Sequence, residues 1–265
     1  MATFAVEWKP GGPMLKLAVA MPIVNEARPA KYIDFDVLVD TGYDLSMVIP
    51  ERVNALKLHK IRDGASHSPL CSSETTIHLA SLWHQGELIA NNAEVSSDNP
   101  RVGEGLLGQN VLLNHVLEQM GPGKQCLVHP GEGGGPAVVT GHAYPSGPKV
   151  LLSIGPAIAK GQQPPHRVKW QCVLDTGAGK GIIAPTIRKT LKLVQTGRRK
   201  INNGKVEKEY PEYRVSVWHD NVCLVPNLPV AELQPQGSPI LLGQDFLHGC
   251  LFTQDGPSRL VQLEF

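Results

Sequence analysis

Asp40-Thr41-Gly42 and Asp175-Thr176-Gly177 are one triplet written twice in a chain of 265 residues, 135 positions apart. A single such triplet is an ordinary turn, because Asp and Gly both favour turns. Two copies, each following an apolar strand-like run, point to chemistry that needs two carboxylates. Brought within about 3 Å, two aspartates cannot both ionise, and they hold one proton between them. The ionised member can act as general base on a water molecule. The protonated member can polarise a carbonyl and later help protonate a leaving amine. Asp40 and Asp175 are therefore the candidate catalytic pair. Glycine at 42 and 177 lets the backbone turn tightly beneath each carboxylate and aim N–H groups at it. Thr41 and Thr176 can hydrogen-bond across to the opposite loop and hold the two loops in register.

The elements that must position this pair repeat at the same spacing. Leu106-Leu107-Gly108-Gln109 recurs as Leu241-Leu242-Gly243-Gln244, Leu56-Lys57-Leu58 as Leu191-Lys192-Leu193, and Trp83-His84 as Trp218-His219. One constant register without gaps marks an internal repeat. It spans 1–130 and 136–265, and Gly131-Glu132-Gly133-Gly134-Gly135 between them reads as a flexible linker. Each half reads as mostly β. Met14–Val19 and Lys149–Ile154 are strand-like, while Phe35–Val39 and Trp170–Leu174 run straight into the triplets. Pro50 and Pro185 suit the first position of a helix, and a second short helix is expected at about 110–118 and 245–252. Hairpins are expected near 62–78 and 197–211. The second carries the tight-turn signal Asn202-Asn203-Gly204-Lys205, whereas the polar Ser66–Ser73 stretch has no glycine at its tip and is expected to be short. The 27 glycines, 22 prolines and only 18% charged residues suit short strands joined by many turns. They exclude a helical bundle, a coiled coil and a disordered chain.

Other signals set limits. A net charge of +1 offers no field for nucleic acid or anionic lipid, and Arg198-Arg199-Lys200 reads as a solvated hairpin. No apolar run approaches the roughly 18 residues of a membrane span, and the first residues lack a secretory pattern. Five cysteines without C-x-x-C imply free thiols, a reducing compartment and a cytoplasmic location. Cys126 and Cys172 read as small core residues. Ten histidines without H-x-x-x-H give no metal site, and no cofactor is expected. Gly177–Gly181 lacks the first glycine and the Ser or Thr of a phosphate loop. Trp83-His84 and Trp218-His219 read as a packed Trp with a His at the rim.

The segments V-D-T-G-Y-D-L-S-M-V-I-P with G-L-L-G-Q-N-V-L, and V-L-D-T-G-A-G-K-G-I-I-A-P with I-L-L-G-Q-D-F-L, resemble retropepsin-type aspartic proteases, each half resembling one protomer. The resemblance implies an all-β fold of two lobes related by a pseudo-twofold axis, each with one or two short helices. It implies Asp40 and Asp175 as the dyad, Thr41 and Thr176 as the cross-loop pair, and Gly42 and Gly177 as the loop turns. Leu106-Leu107-Gly108 and Leu241-Leu242-Gly243 would be strands threaded behind the loops. Asp44 would grip substrate backbone, with Tyr43, Ala178, Asn203 and Gly204 also lining the cleft; Gly179 stands where a second such aspartate would be. Gln109 and Gln244 replace the arginine often found there, so its ion pair is absent. The implied activity is endopeptidase cleavage of extended peptides by a monomer that forms its pseudo-dimer within one chain. The alternative is a catalytically silent pseudoprotease that binds peptides; two intact triplets favour hydrolysis. Neither Tyr43 nor Ala178 supplies the hydroxyl of pepsin-type loops, which implies a cleavage maximum at roughly pH 4.5–6.5.

Overall fold

The computed structural model describes residues 4–9, 12–24, 29–68, 72–100, 103–120, 125–129, 139–159, 162–202 and 207–264. In the first half the order is β1 (Phe4–Lys9), β2 (Gly12–Ala20), β3 (Tyr32–Val39), β4 (Ser46–Val48), α1 (Pro50–Leu56), β5 (Lys60–His67) and β6 (Ser72–His84). Then follow β7 (Glu87–Ser97), β8 (Gly105–Leu107), α2 (Gln109–Leu112), β9 (Val116–Met120) and β10 (Gln125–His129). The second half runs β11 (Val139–Tyr144), β12 (Gly147–Pro156), β13 (Val168–Leu174), β14 (Gly181–Ile183), α3 (Pro185–Leu191), β15 (Gly197–Asn202) and β16 (Glu207–His219). It ends with β17 (Val222–Glu232), β18 (Ile240–Leu242), α4 (Gln244–Leu247), β19 (Leu251–Asp255) and β20 (Leu260–Glu264). Every element of the first half has its counterpart in the second at the repeat offset. The glycine-rich segment 131–135 lies outside the described residues.

Local chemistry explains the elements that carry the site. Pro50 and Pro185 open α1 and α3, and each helix is closed by a lysine in the left-handed region, Lys57 at φ 54° and Lys192 at φ 50°. β8 runs parallel to β3 on one side and antiparallel to β4 on the other, so Leu106 and Leu107 lie beside the strand that delivers Asp40. β18 makes the same two pairings with β13 and β14. Both strand pairs are buried, which is why Val37, Leu38, Val39 and Cys172, Val173, Leu174 are apolar without alternation.

The halves meet in a six-stranded antiparallel sheet ordered β1–β10–β9–β19–β20–β11. Its central pair, β9 with β19, sets Glu118 opposite its own repeat equivalent, Thr253. A local twofold axis passes through that pairing. This sheet also corrects the expected second helices. Instead of running to 118 and 252, α2 and α4 stop after one turn at Leu112 and Leu247, and the chain turns into β9 and β19. The β-forming residues Val116-Leu117 and Leu251-Phe252 are claimed by pairing between the halves.

The first hairpin is not short. β5 and β6 pair from Lys60–His78 to His67–Ser72, at least as far as β15 and β16 pair from Gly197–Glu212 to Asn202–Glu207. Strand length and hydroxyl bonding do what a glycine turn would otherwise do. Ser66 and Ser73 share a buried hydroxyl hydrogen bond at 3.0 Å, and Ser73 also donates to the Asp98 carboxylate. Trp83 and Trp218 are buried as expected, but His84 is buried too rather than at a rim, with Nδ1 bonded to the Lys16 carbonyl at 2.8 Å. Cys172 is a core residue whose thiol is pushed up by burial.

Arg198-Arg199-Lys200 is solvated only at its ends. Arg198 and Lys200 pair with Glu209 and Glu207 on the exposed face, while the strand period turns Arg199 inward to Glu212 (2.6 Å) and Asp245 (3.4 Å). Burial raises the Asp245 carboxyl above its usual 3.8, opposed by the Gly181 N–H and by Arg199. A carboxyl that holds its proton more tightly in the folded chain favours folding below about pH 4, and that contribution is lost as pH rises through the raised value. Asp245→Asn, which copies Asn110 at the equivalent position, is expected to flatten this decline. Urea unfolding from pH 4 to 7 checks it, and an unchanged slope would contradict the assignment.

Candidate active site

The two triplets lie at the ends of β3 and β13, where the chain leaves buried sheet and must turn. Each aspartate is tied back to the neighbouring strand: the Asp40 N–H donates to Leu107 O and the Asp175 N–H to Leu242 O, both at 3.0 Å. The loops are locked together reciprocally. The Thr41 N–H donates to Thr176 Oγ1 and the Thr176 N–H to Thr41 Oγ1, both at 3.0 Å. Each hydroxyl then donates onward into the opposite half, Thr41 Oγ1 to Leu174 O at 3.1 Å and Thr176 Oγ1 to Val39 O at 2.8 Å. All four bonds are buried, where an unmade bond is costly, so they fix the loops against each other.

The carboxylates are oriented by backbone. Asp40 Oδ1 accepts the Gly42 N–H at 2.8 Å; Asp175 Oδ1 accepts the N–H groups of Gly177 at 3.0 Å and Ala178 at 2.9 Å. Both residues are buried, 6% and 5% exposed. A Cβ at Gly42 would collide with the Asp175 carboxylate, and one at Gly177 with the Asp40 carboxylate. Glycine is required here because the opposite loop's carboxylate fills the space a side chain would need. Gly108 and Gly243 meet a similar demand behind the loops: a Cβ would strike the backbone of Leu45 and of Ala178, respectively.

Gln109 and Gln244 carry a role the sequence reading missed. Gln109 Nε2 donates to Thr41 O at 2.7 Å, and Gln244 Nε2 donates to Thr176 O, so each amide props the back of a triplet loop. Each is held in turn by a glutamine from the other half: Gln254 Nε2 donates to Gln109 Oε1, and Gln119 Nε2 to Gln244 Oε1, both at 3.0 Å. Four buried amides thus replace an ion pair beneath the loops. The signal existed, since Gln119 and Gln254 also stand at the repeat offset. Gln244→Leu leaves the Thr176 carbonyl and Gln119 amide without their partner. It is expected to lower unfolding free energy by about 2–3 kcal/mol in chemical denaturation; a change within about 0.5 kcal/mol would show the layer to be idle.

The remaining site residues separate. Ala178 is buried beside Asp175, and Tyr43 is half-buried beside Asp40. Asn203 and Gly204 lie outside the described residues. Asp44 is occupied by the chain itself: its N–H donates to His67 O at 3.1 Å, and its Oδ1 accepts the His67 N–H at 2.8 Å. At the equivalent place Gly179 is exposed, with nothing within 4 Å of where its Cβ would be. A cavity of about 330 Å³ opens beside Gly42 and Asp44, bounded by His67–Ser68 and by the turns at 145–146 and 236–237 of the other half. Among the described residues no group of three or more His, Cys, Asp or Glu could hold a metal ion, and no helix is long and apolar enough to cross a membrane.

No protein-family model and no curated protein matches the chain. Among solved structures it is similar to the aspartic proteinase from Irpex lacteus, with a TM-score of 0.60 at 12% identity over 99% of this chain and 96% of that one. At such identity the likeness speaks for architecture alone. The chain has the all-β, two-lobed fold of an aspartic proteinase.

Proposed function

We propose that this chain is an aspartic endopeptidase of retropepsin type, in which two protomer-like halves in one polypeptide form the catalytic centre that two chains would otherwise share. The supporting observation is the reciprocal lock between Thr41 and Thr176, which sets Asp40 and Asp175 against each other's loops. In this reading the carboxylates share one proton and hold a water between them. The ionised carboxylate takes a proton from the water as its oxygen attacks the peptide carbonyl. The protonated partner gives its proton to the carbonyl oxygen, leaving a neutral gem-diol. Collapse of that intermediate breaks the C–N bond, with one carboxyl donating to the leaving nitrogen and the other recovering the hydroxyl proton. The extended substrate lies across both halves, so the active unit is a monomer, with the second half at high effective concentration.

Cleavage of a mixed peptide library between pH 2 and 8 tests this. Neither residue after a triplet carries a Ser or Thr hydroxyl to favour the ionised pair, so a bell-shaped maximum is expected at roughly pH 4.5–6.5. A maximum near pH 2–3 would contradict the hydroxyl argument. No cleavage at any pH by folded protein would replace hydrolysis with silent peptide binding.

A further inference from the structure

The residue expected to grip substrate grips the protein instead. Asp44 binds both main-chain groups of His67, its N–H giving a hydrogen bond to the carbonyl and its carboxylate taking one from the amide, at 3.1 and 2.8 Å. That is how one residue of an extended strand is recognised, and His67 is the last residue of β5. His67 and Ser68 then form one wall of the cavity beside Gly42. The second half cannot repeat this bond, because Gly179 has no carboxylate.

We propose that Asp44 is a positioning residue that latches the first hairpin down as a fixed wall of this cavity, so that this end of the cleft selects one bulky side chain of the substrate. The selectivity rests on the endopeptidase reading above; the latch itself does not. A fixed wall keeps the cavity, about 330 Å³, wide enough to take a large side chain, and binding then gains from contact without the cost of ordering the hairpin. The carboxylate acts through His67 and touches neither the water nor the scissile bond. An acceptor oxygen, rather than a charge, is what the latch requires, and asparagine supplies one.

The test compares wild type with Asp44→Ala and Asp44→Asn. Amide exchange at His67, measured without substrate, is expected to accelerate at least about 10-fold in Asp44→Ala and to stay within about 2-fold of wild type in Asp44→Asn. With peptides that differ only in having Phe or Ala at the cavity position, Asp44→Ala is expected to raise KM for the Phe peptide about 5- to 10-fold, with a smaller change in kcat. The Phe-over-Ala preference should shrink by a similar factor, and Asp44→Asn should restore both. Unchanged exchange at His67 in Asp44→Ala overturns the latch. An asparagine variant as impaired as alanine overturns it too, because the charge would then act on substrate directly. A wild-type protein that cleaves nothing overturns the hydrolytic reading alone, and the exchange rate still decides the latch.

Discussion

Asp40→Asn and Asp175→Asn, made singly, are each expected to lower kcat/KM for peptide cleavage by at least about 10⁴-fold while the protein stays folded. Groups that act as one unit lose nearly all their effect when either is removed. In the proposed mechanism the unit is a shared proton, and an amide cannot take part in it. Both carboxylates accept backbone N–H groups, Asp40 from Gly42 and Asp175 from Gly177 and Ala178. The asparagine oxygen can still accept those bonds, so the loops keep their shape. Replacing one of the two opposed carboxyls by an amide also removes the cost of holding the pair to a single shared charge. The melting temperature of each variant is therefore expected to equal or exceed that of wild type. Circular dichroism on heating, beside the kinetics, separates loss of chemistry from loss of fold. Substantial activity in either variant would place the chemistry elsewhere.

Gly42→Ala and Gly177→Ala should fail for a different reason. The added methyl has no room, because the opposite loop's carboxylate already fills the space. Relief requires either loop to retreat, straining the reciprocal threonine bonds at 3.0 Å. Overpacking of this kind costs about 1–3 kcal/mol, and a displacement of about 1 Å at a catalytic group costs on the order of 10²-fold in rate. These variants are expected to lose both stability and activity, unlike the asparagine variants, which lose activity alone. Kinetics and urea unfolding on the same preparations distinguish the two patterns. An alanine variant with wild-type stability and rate would mean that the loops do not face each other as described.

The candidate site was legible in the sequence wherever the information was local and repeated. Asp40-Thr41-Gly42, its copy, and the Leu-Leu-Gly strands announce themselves by spacing, and Pro50 and Pro185 mark helix starts by their fixed φ. What stayed hidden depends on partners far along the chain. The helices after Gly108 and Gly243 end early because β9 must pair with β19 from the other half, a contact no local propensity reports. The first hairpin lacks a glycine turn, yet its long ladder and the Ser66–Ser73 bond hold it. Arg199 looks solvated within a basic run, but its strand alternation sends it inward to Asp245. Gln109 and Gln244 look like the loss of an ion pair; only the three-dimensional arrangement supplies Gln254 and Gln119 as their partners.

The proposal that Asp40 and Asp175 together activate a water for peptide hydrolysis is tested most directly by single-turnover digestion of a cleaved peptide in ¹⁸O-enriched water, with mass spectrometry of product and protein. The expected result is one ¹⁸O in the new C-terminal carboxylate, no acyl group on the protein, and no product from Asp40→Asn. An acyl adduct would contradict the account, as would product formed by Asp40→Asn, because either would assign the attacking atom to a side chain or site other than the water between these two aspartates.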